Sequence, residues 1–172
     1  MNLTRPLATA LLATALSFAA QAQDKDSQGG TATDAGFFKN ASASGLTEVA
    51  ASKVALERSS SPTVKKFAQT MIDDHTKANE ELEGLKSGDK GYSIAGQPTP
   101  DGEKLIDAMK RLSGAELNST YRKMMIADHE KAVAMFEVEV EKGSNPELKA
   151  FAKKTLPTLK HHLKDAKALP AK

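Results

Sequence analysis

Residues 59–78 read SSSPTVKKFAQTMIDDHTKA, and the fold turns on how this stretch is parsed. Ser61-Pro62 places an N-cap residue before a proline at the first helical position, where the missing amide hydrogen has no partner to lose. Behind it Val64, Phe67, Ala68, Met71, His75 and Ala78 recur at intervals of three and four, the spacing of one helix face. The three residues before the proline are too few for anything but a tight turn, so the helix before it must double back.

The same punctuation recurs along the chain. KGSNP (142–146) is a second tight turn, NPELKAFAKK repeats the opening SPTVKKFAQT, and Thr99-Pro100 is a third cap-and-proline start. Ser113 and Glu116 have the spacing of a capping box. These signals predict helices over about 34–59, 62–86, 114–142 and 146–168, with a short helix near 101–112 inside the long connection. No segment reads as a strand. The expected fold is all-α: a four-helix bundle made of two antiparallel helix hairpins joined by that connection.

Residues 1–22 have the grammar of a secretory signal peptide. One positive charge at Arg5 precedes the apolar run LATALLATALSFAA, and AQA ends it with small residues at Ala20 and Ala22. Cleavage is expected after Ala22, which places the mature protein in the periplasm or outside the cell. Residues 23–33 are polar and aperiodic, a tether, and 34–170 form the domain. No later stretch approaches the ~18 continuous apolar residues of a membrane span. The formal net charge of +2, with lysines interspersed among acids, excludes the clustered basic face of a nucleic-acid binder. The absence of cysteine excludes disulfides, thiol catalysis and Cys-ligated metal. An envelope protein partner or a second copy of the chain are the partners left open.

Placed at 100° per residue, each long helix has an apolar face interrupted by an ionisable group. Glu48 falls among Phe37, Phe38, Ala41, Gly45, Val49, Ala55 and Leu56. His75 lies near the centre of its face, with Asp74 at the edge. Asp128 and His129 straddle the stripe Leu117, Tyr121, Met124, Met125, Ala132, Met135, Phe136 and Val140. His162 joins Leu148, Phe151, Ala152, Leu156, Leu159, Leu163 and Ala166, while His161 points away. Counted from the two tight turns, Glu48, His75, His129 and His162 lie within about one turn of a common height, given a 1.5 Å rise per residue. Off the main face, Leu46 and Val54 hint at a partner or at the short helix folding back.

Two readings of this layer stay open. Inward carboxylates and imidazoles on facing helices build metal sites in bundles, and this set suits one divalent iron, zinc, manganese or copper ion. Glu48, His75, His129 and His162 are then the candidate ligands, with Asp74 and Asp128 as outer partners or further ligands, and Tyr121 as another outer candidate. Alternatively the layer is a buried hydrogen-bond network that fixes register without an ion. A pH-responsive module is a third use of buried imidazoles. The residues three before His75, His129 and His162 are Ile72, Ile126 and Leu159, so the E-x-x-H pairs of di-iron bundles are absent and a mononuclear site fits better. The methionines at helical spacing read as core, and EVEVEKG (137–143) reads as a solvated acidic face. No nucleophile elbow and no phosphate loop is present, so no catalytic residues are assigned.

GLTEVAASKVALERSSSPTVKKFAQTMIDDHTKANEEL (45–82) and LSGAELNSTYRKMMIADHEKAVAMFEVEVEKGSNPELKAFAKKTLPTLKHHL (112–163) together resemble the domain of unknown function 4142 family. These are secreted or periplasmic bacterial proteins with a ferritin-like four-helix bundle, and the likeness runs from about Phe37 to Leu169. It puts the family's first-helix Glu on Glu48, its two Asp-His pairs on Asp74-His75 and Asp128-His129, and its last His on His162. Where the family has Phe-Asp before the helix-C tyrosine, this chain has Leu117-Asn118, so Asn118 can at most hydrogen-bond. The resemblance implies fold and export but no activity. The expectation is an exported, non-enzymatic binding or envelope stress-related protein with a buried Glu/His layer. Its alternative is a metal-storage protein or metal-dependent oxidoreductase.

Overall fold

The computed structural model describes residues 34–85 and 92–170, and these form an all-α helical bundle. The signal peptide and tether expected over 1–33 lie outside the described residues. Five helices follow in order: α1 (Asp34–Arg58), α2 (Pro62–Gly84), α3 (Pro100–Met109), α4 (Gly114–Lys142) and α5 (Pro146–Ala168). Their ends fall within three residues of the sequence expectation.

The caps explain these starts. Ser61 Oγ accepts from Val64 N at 3.4 Å, Thr99 Oγ1 from Gly102 N at 3.1 Å, and Asn145 Oδ1 from Glu147 N at 2.9 Å. Each satisfies an amide at a helix start that has no intrahelical acceptor. The capping box expected at Ser113 does not form: Ser113 makes no side-chain cap bond, and Gly114 takes a positive φ of 53°. That left-handed residue, available to glycine at little cost, turns the chain into α4 instead.

The core divides into two clusters, one at each end of the bundle. One gathers the C-terminal half of α1 (Ala51, Val54, Ala55), the start of α2 (Val64, Phe67, Met71), α3, the start of α4 (Leu117, Tyr121, Met125) and the end of α5 (Ala166). The other gathers the opposite ends: Phe37 and Phe38, Leu82, Ala132 and Phe136, and Leu148 with Phe151. Burying each of these larger apolar side chains contributes roughly 1.5–3 kcal/mol. The grouping also sets directions. α1 runs with α5 and against α2 and α4, and the main contacts join α1 to α2 and α4, and α5 to α4 and α2.

The end of α2 and the start of α4 therefore lie at opposite ends, and residues 92–112 between them run along α1. Tyr92 stacks on Phe38 at 5.3 Å between ring centroids. Ala95 N donates to Ser42 Oγ, and Thr99 N to Thr47 Oγ1, both at 2.9 Å. Ile106 and Met109 cover Val54, and Arg58 reaches Leu112 O at 3.3 Å. This strap buries Ser42, Thr47 and Val54 on the far side of α1. Val54 thus marks the short helix folding back. Val49 and Leu56, assigned to the inward face, are only half-buried, because α1 is covered on two sides and its core side is narrower than its apolar arc.

Candidate metal centre

Between the two clusters lies a polar layer. His75 follows Met71 by four residues and precedes Leu82 by seven, and His129 follows Met125 by four and precedes Phe136 by seven. His162 follows Leu159 by three and precedes Ala166 by four. These spacings aim each ring where its apolar neighbours point. Glu48, with Ala41 and Ala55 one heptad either side, arrives from α1. Glu48, His129 and His162 are each at most 1% exposed and His75 is 6% exposed.

The three imidazoles form a nearly equilateral triangle, with ring centroids 5.4, 5.4 and 5.5 Å apart. One nitrogen from each ring lies within 4.8 Å of the others. Each ring has one nitrogen held by an acceptor. His75 Nδ1 donates to Glu48 Oε2 at 2.9 Å. His129 Nδ1 donates to the Met125 carbonyl at 2.8 Å, with Glu48 Oε1 3.4 Å away. His162 Nε2 donates to Asp74 Oδ2 at 2.9 Å. The second nitrogen of each ring, His75 Nε2, His129 Nε2 and His162 Nδ1, is buried without a hydrogen-bond partner, as is Glu48 Oε1. Carboxylate and carbonyl acceptors fix the tautomers and leave the lone pair on the second nitrogen, the arrangement in which histidine binds metal.

The charges of the layer follow from burial and contact. Burial pushes the Glu48 carboxyl upward, but His75 beside it, with His129 and His162 nearby, brings it below its ordinary value. His75 is lowered by burial and raised by the Glu48 charge and hydrogen bond, with a net upward shift. Burial lowers His129. Burial and the His75 charge lower His162 to about 4. The layer is therefore one carboxylate, one readily protonated imidazole and two neutral ones.

All four groups expected in the layer are present there. Asp74 takes part, though its partner is His162 on α5 rather than its neighbour His75. Asp128 is not brought to an imidazole. Its partner is Lys131 at 3.9 Å, and burial and the Glu48 charge raise its carboxyl to about 6. Tyr121 also serves elsewhere, sharing a 2.8 Å hydrogen bond with Ser52. Asn118 accepts from Ser59 Oγ at 2.7 Å, the hydrogen-bonding role open to it. Met124 and Met125 are buried in the apolar cluster beyond the layer, as core, and Met135 is half-buried against the other cluster.

Reading 137–143 as a solvated face is wrong at one position. Glu139 is 3% exposed, and an added Cβ at Gly143 would lie 2.3 Å from Glu139 Oε1. Burial and Asp34 at the start of α1, by charge and by hydrogen bond, raise its carboxyl to about 7. Alternation of Glu with Val hid it. The usable signal was the spacing of Glu139 to the turn glycine four residues on.

The layer is open on one side. A cavity of about 40 Å³ reaches Glu48, Asp74, His75 and His162 from between α1, α2 and α5.

A family profile, the domain of unknown function DUF4142, matches residues 18–169. No curated protein matches the chain. Among solved structures, a crystal structure of a DUF305 fragment from Deinococcus radiodurans is similar to it. It has a TM-score of 0.67 and 18% identity, and the match covers 77% of this chain and 91% of that one. At that identity the likeness is one of fold. The match over most of the sequence, including all four helices that supply the polar layer, assigns the chain plainly: it belongs to the DUF4142 family.

Proposed function

We propose that this protein is an exported, non-enzymatic metal-binding protein with a ferritin-like four-helix bundle. It holds one divalent transition-metal ion on His75 Nε2, His129 Nε2 and His162 Nδ1. The observation that carries this reading is the set of three buried ring nitrogens without partners, one per histidine, each opposite a nitrogen fixed by an acceptor. A hydrogen-bond network would satisfy its members, because each orphaned buried polar atom costs about 1–3 kcal/mol. Three acceptors cannot satisfy one another. A proton on His75, which Glu48 favours, supplies one donor for two waiting acceptors.

In this reading Glu48 and Asp74 are outer partners that orient His75 and His162 and offset the charge of the ion. Glu48 Oε1, which lies 3.4 Å from His129 Nδ1 but accepts no hydrogen bond, is the carboxylate atom available to a further position. Three imidazoles favour zinc, copper(II) or iron over manganese, which prefers oxygen. Export rests on the signal-peptide grammar of residues 1–22.

Metal content of the untagged mature protein, purified from the periplasm, tests the proposal. The expected result is about one ion per chain, lost in both His75→Ala and His129→Ala. An ion at a thousandfold its Kd adds about 4 kcal/mol, a rise in melting temperature of roughly 8–16 °C for a chain of this size. Sub-stoichiometric metal with no melting shift on adding Zn, Cu or Fe would overturn the reading. Full metal content in both alanine variants would overturn the ligand assignment.

A further inference from the structure

The geometry points to a second ligand site on top of the metal site: we propose that the cavity beside the layer admits a small lone-pair donor of two or three atoms, which binds directly to the ion. This rests on the metal reading above. Three protein nitrogens leave a divalent transition metal at least one coordination position, the feature that separates reactive from purely structural sites.

The structure makes the two sides of the layer unequal. On the α3 side Met71, Tyr121 and Met125 are fully buried and close it off. On the other side lies the cavity, whose polar end is Glu48, His75 and His162. Its walls include Leu82, Phe136, Phe151 and Leu159, with the Phe136 and Phe151 rings 5.9 Å apart. Small residues keep it from filling: Ala41 from α1, Ala78 from α2 and Ala132 from α4 all line it. Its lip is polar, with Asn79, Thr155 and Thr158 between α2 and α5. Thr158 is exposed and the Asp74 side chain is 45% exposed, so the route reaches solvent.

Size and lining select the ligand. The volume of about 40 Å³ compares with roughly 10–15 Å³ for one water, which allows a diatomic or triatomic molecule and excludes an organic substrate. Apolar walls offer such a molecule no competing hydrogen bonds, so its affinity comes from the bond to the ion. Binding adds one metal–ligand bond and returns one water to solvent where water held the position. Nothing is oxidised or reduced. Azide and cyanide share this chemistry.

Cobalt(II) replaces the native ion in the test because its visible bands report coordination number and ligand exchange. Titrating the cobalt-loaded mature protein with azide is expected to give a saturable one-to-one spectral change. Ala78→Leu, which fills the cavity from a half-buried helix position, should bind cobalt as before and azide at least about tenfold more weakly. Thr155→Leu at the lip should act in the same direction, so the test does not hang on one fold-tolerant variant. A cobalt spectrum that azide does not change, or azide affinity equal in all three proteins, overturns the cavity proposal and leaves the metal site standing. Failure to bind cobalt overturns both.

Discussion

An imidazole has two nitrogens, and the outer partner of one decides what the other can do. Asp74 is the clearest case, because it lies next to His75 in sequence yet accepts from His162. Removing an outer carboxylate typically weakens metal binding about 10–100-fold. Asp74→Ala should do so, by metal-competition titration, while the melting temperature of the metal-free protein changes little. Asp73→Ala is the control, since Asp73 accepts from Gln69 on the same helix at 2.8 Å, outside the layer. Equal affinity in both variants would show that Asp74 orients nothing. At this scale the histidines and Glu48 were legible because helical periodicity states which way a side chain points. Partner choice was not, since it depends on where a facing helix sits to within an ångström. Glu139 was missed for the opposite reason: alternation with valine made a buried acid look solvated.

The helices were legible from their caps and turns, and the path of the connection was not. Nothing in YSIAGQPTPDG (92–102) states that it will run along α1, although Val54, apolar and off the main face, was a trace of it. Close packing of this strap shows at Gly102. An added Cβ there would meet Thr47 Cγ2 at 2.4 Å and Thr99 Oγ1 at 2.8 Å. Gly102→Ala should therefore destabilise the protein by about 1–3 kcal/mol in urea unfolding. Gly84→Ala, whose Cβ would meet nothing within 4 Å, should be neutral or stabilising by up to about 1 kcal/mol. Equal effects would mean that the strap is not packed on α1 as described.

Across the whole molecule, the antiparallel packing brings the start of α1 to the end of α4, where Asp34 and Glu139 meet. Ser144 N donates to Asp34 Oδ1 at 2.8 Å, and Lys149 on α5 is the nearby cation that partly offsets the pair. Glu139 is raised to about 7 from its ordinary value of 4.5, so the folded state binds more protons than the unfolded state between these values. Its contribution to stability is fully present below about pH 4.5 and is lost as pH rises through 7. Glu139→Gln should flatten this part of the stability–pH curve, by about 1–3 kcal/mol at most. A variant curve parallel to the wild type would remove Glu139 from the account. The same antiparallel packing carries Glu48, His75, His129 and His162 from four helices to one height, and the central claim is that this convergence holds an ion. X-ray absorption at the zinc edge of the one-zinc protein tests it most directly. Three imidazole nitrogens at about 2.0–2.1 Å are expected, with no bound zinc left to give a signal in His129→Ala. A first shell of oxygen without imidazole scattering would contradict it.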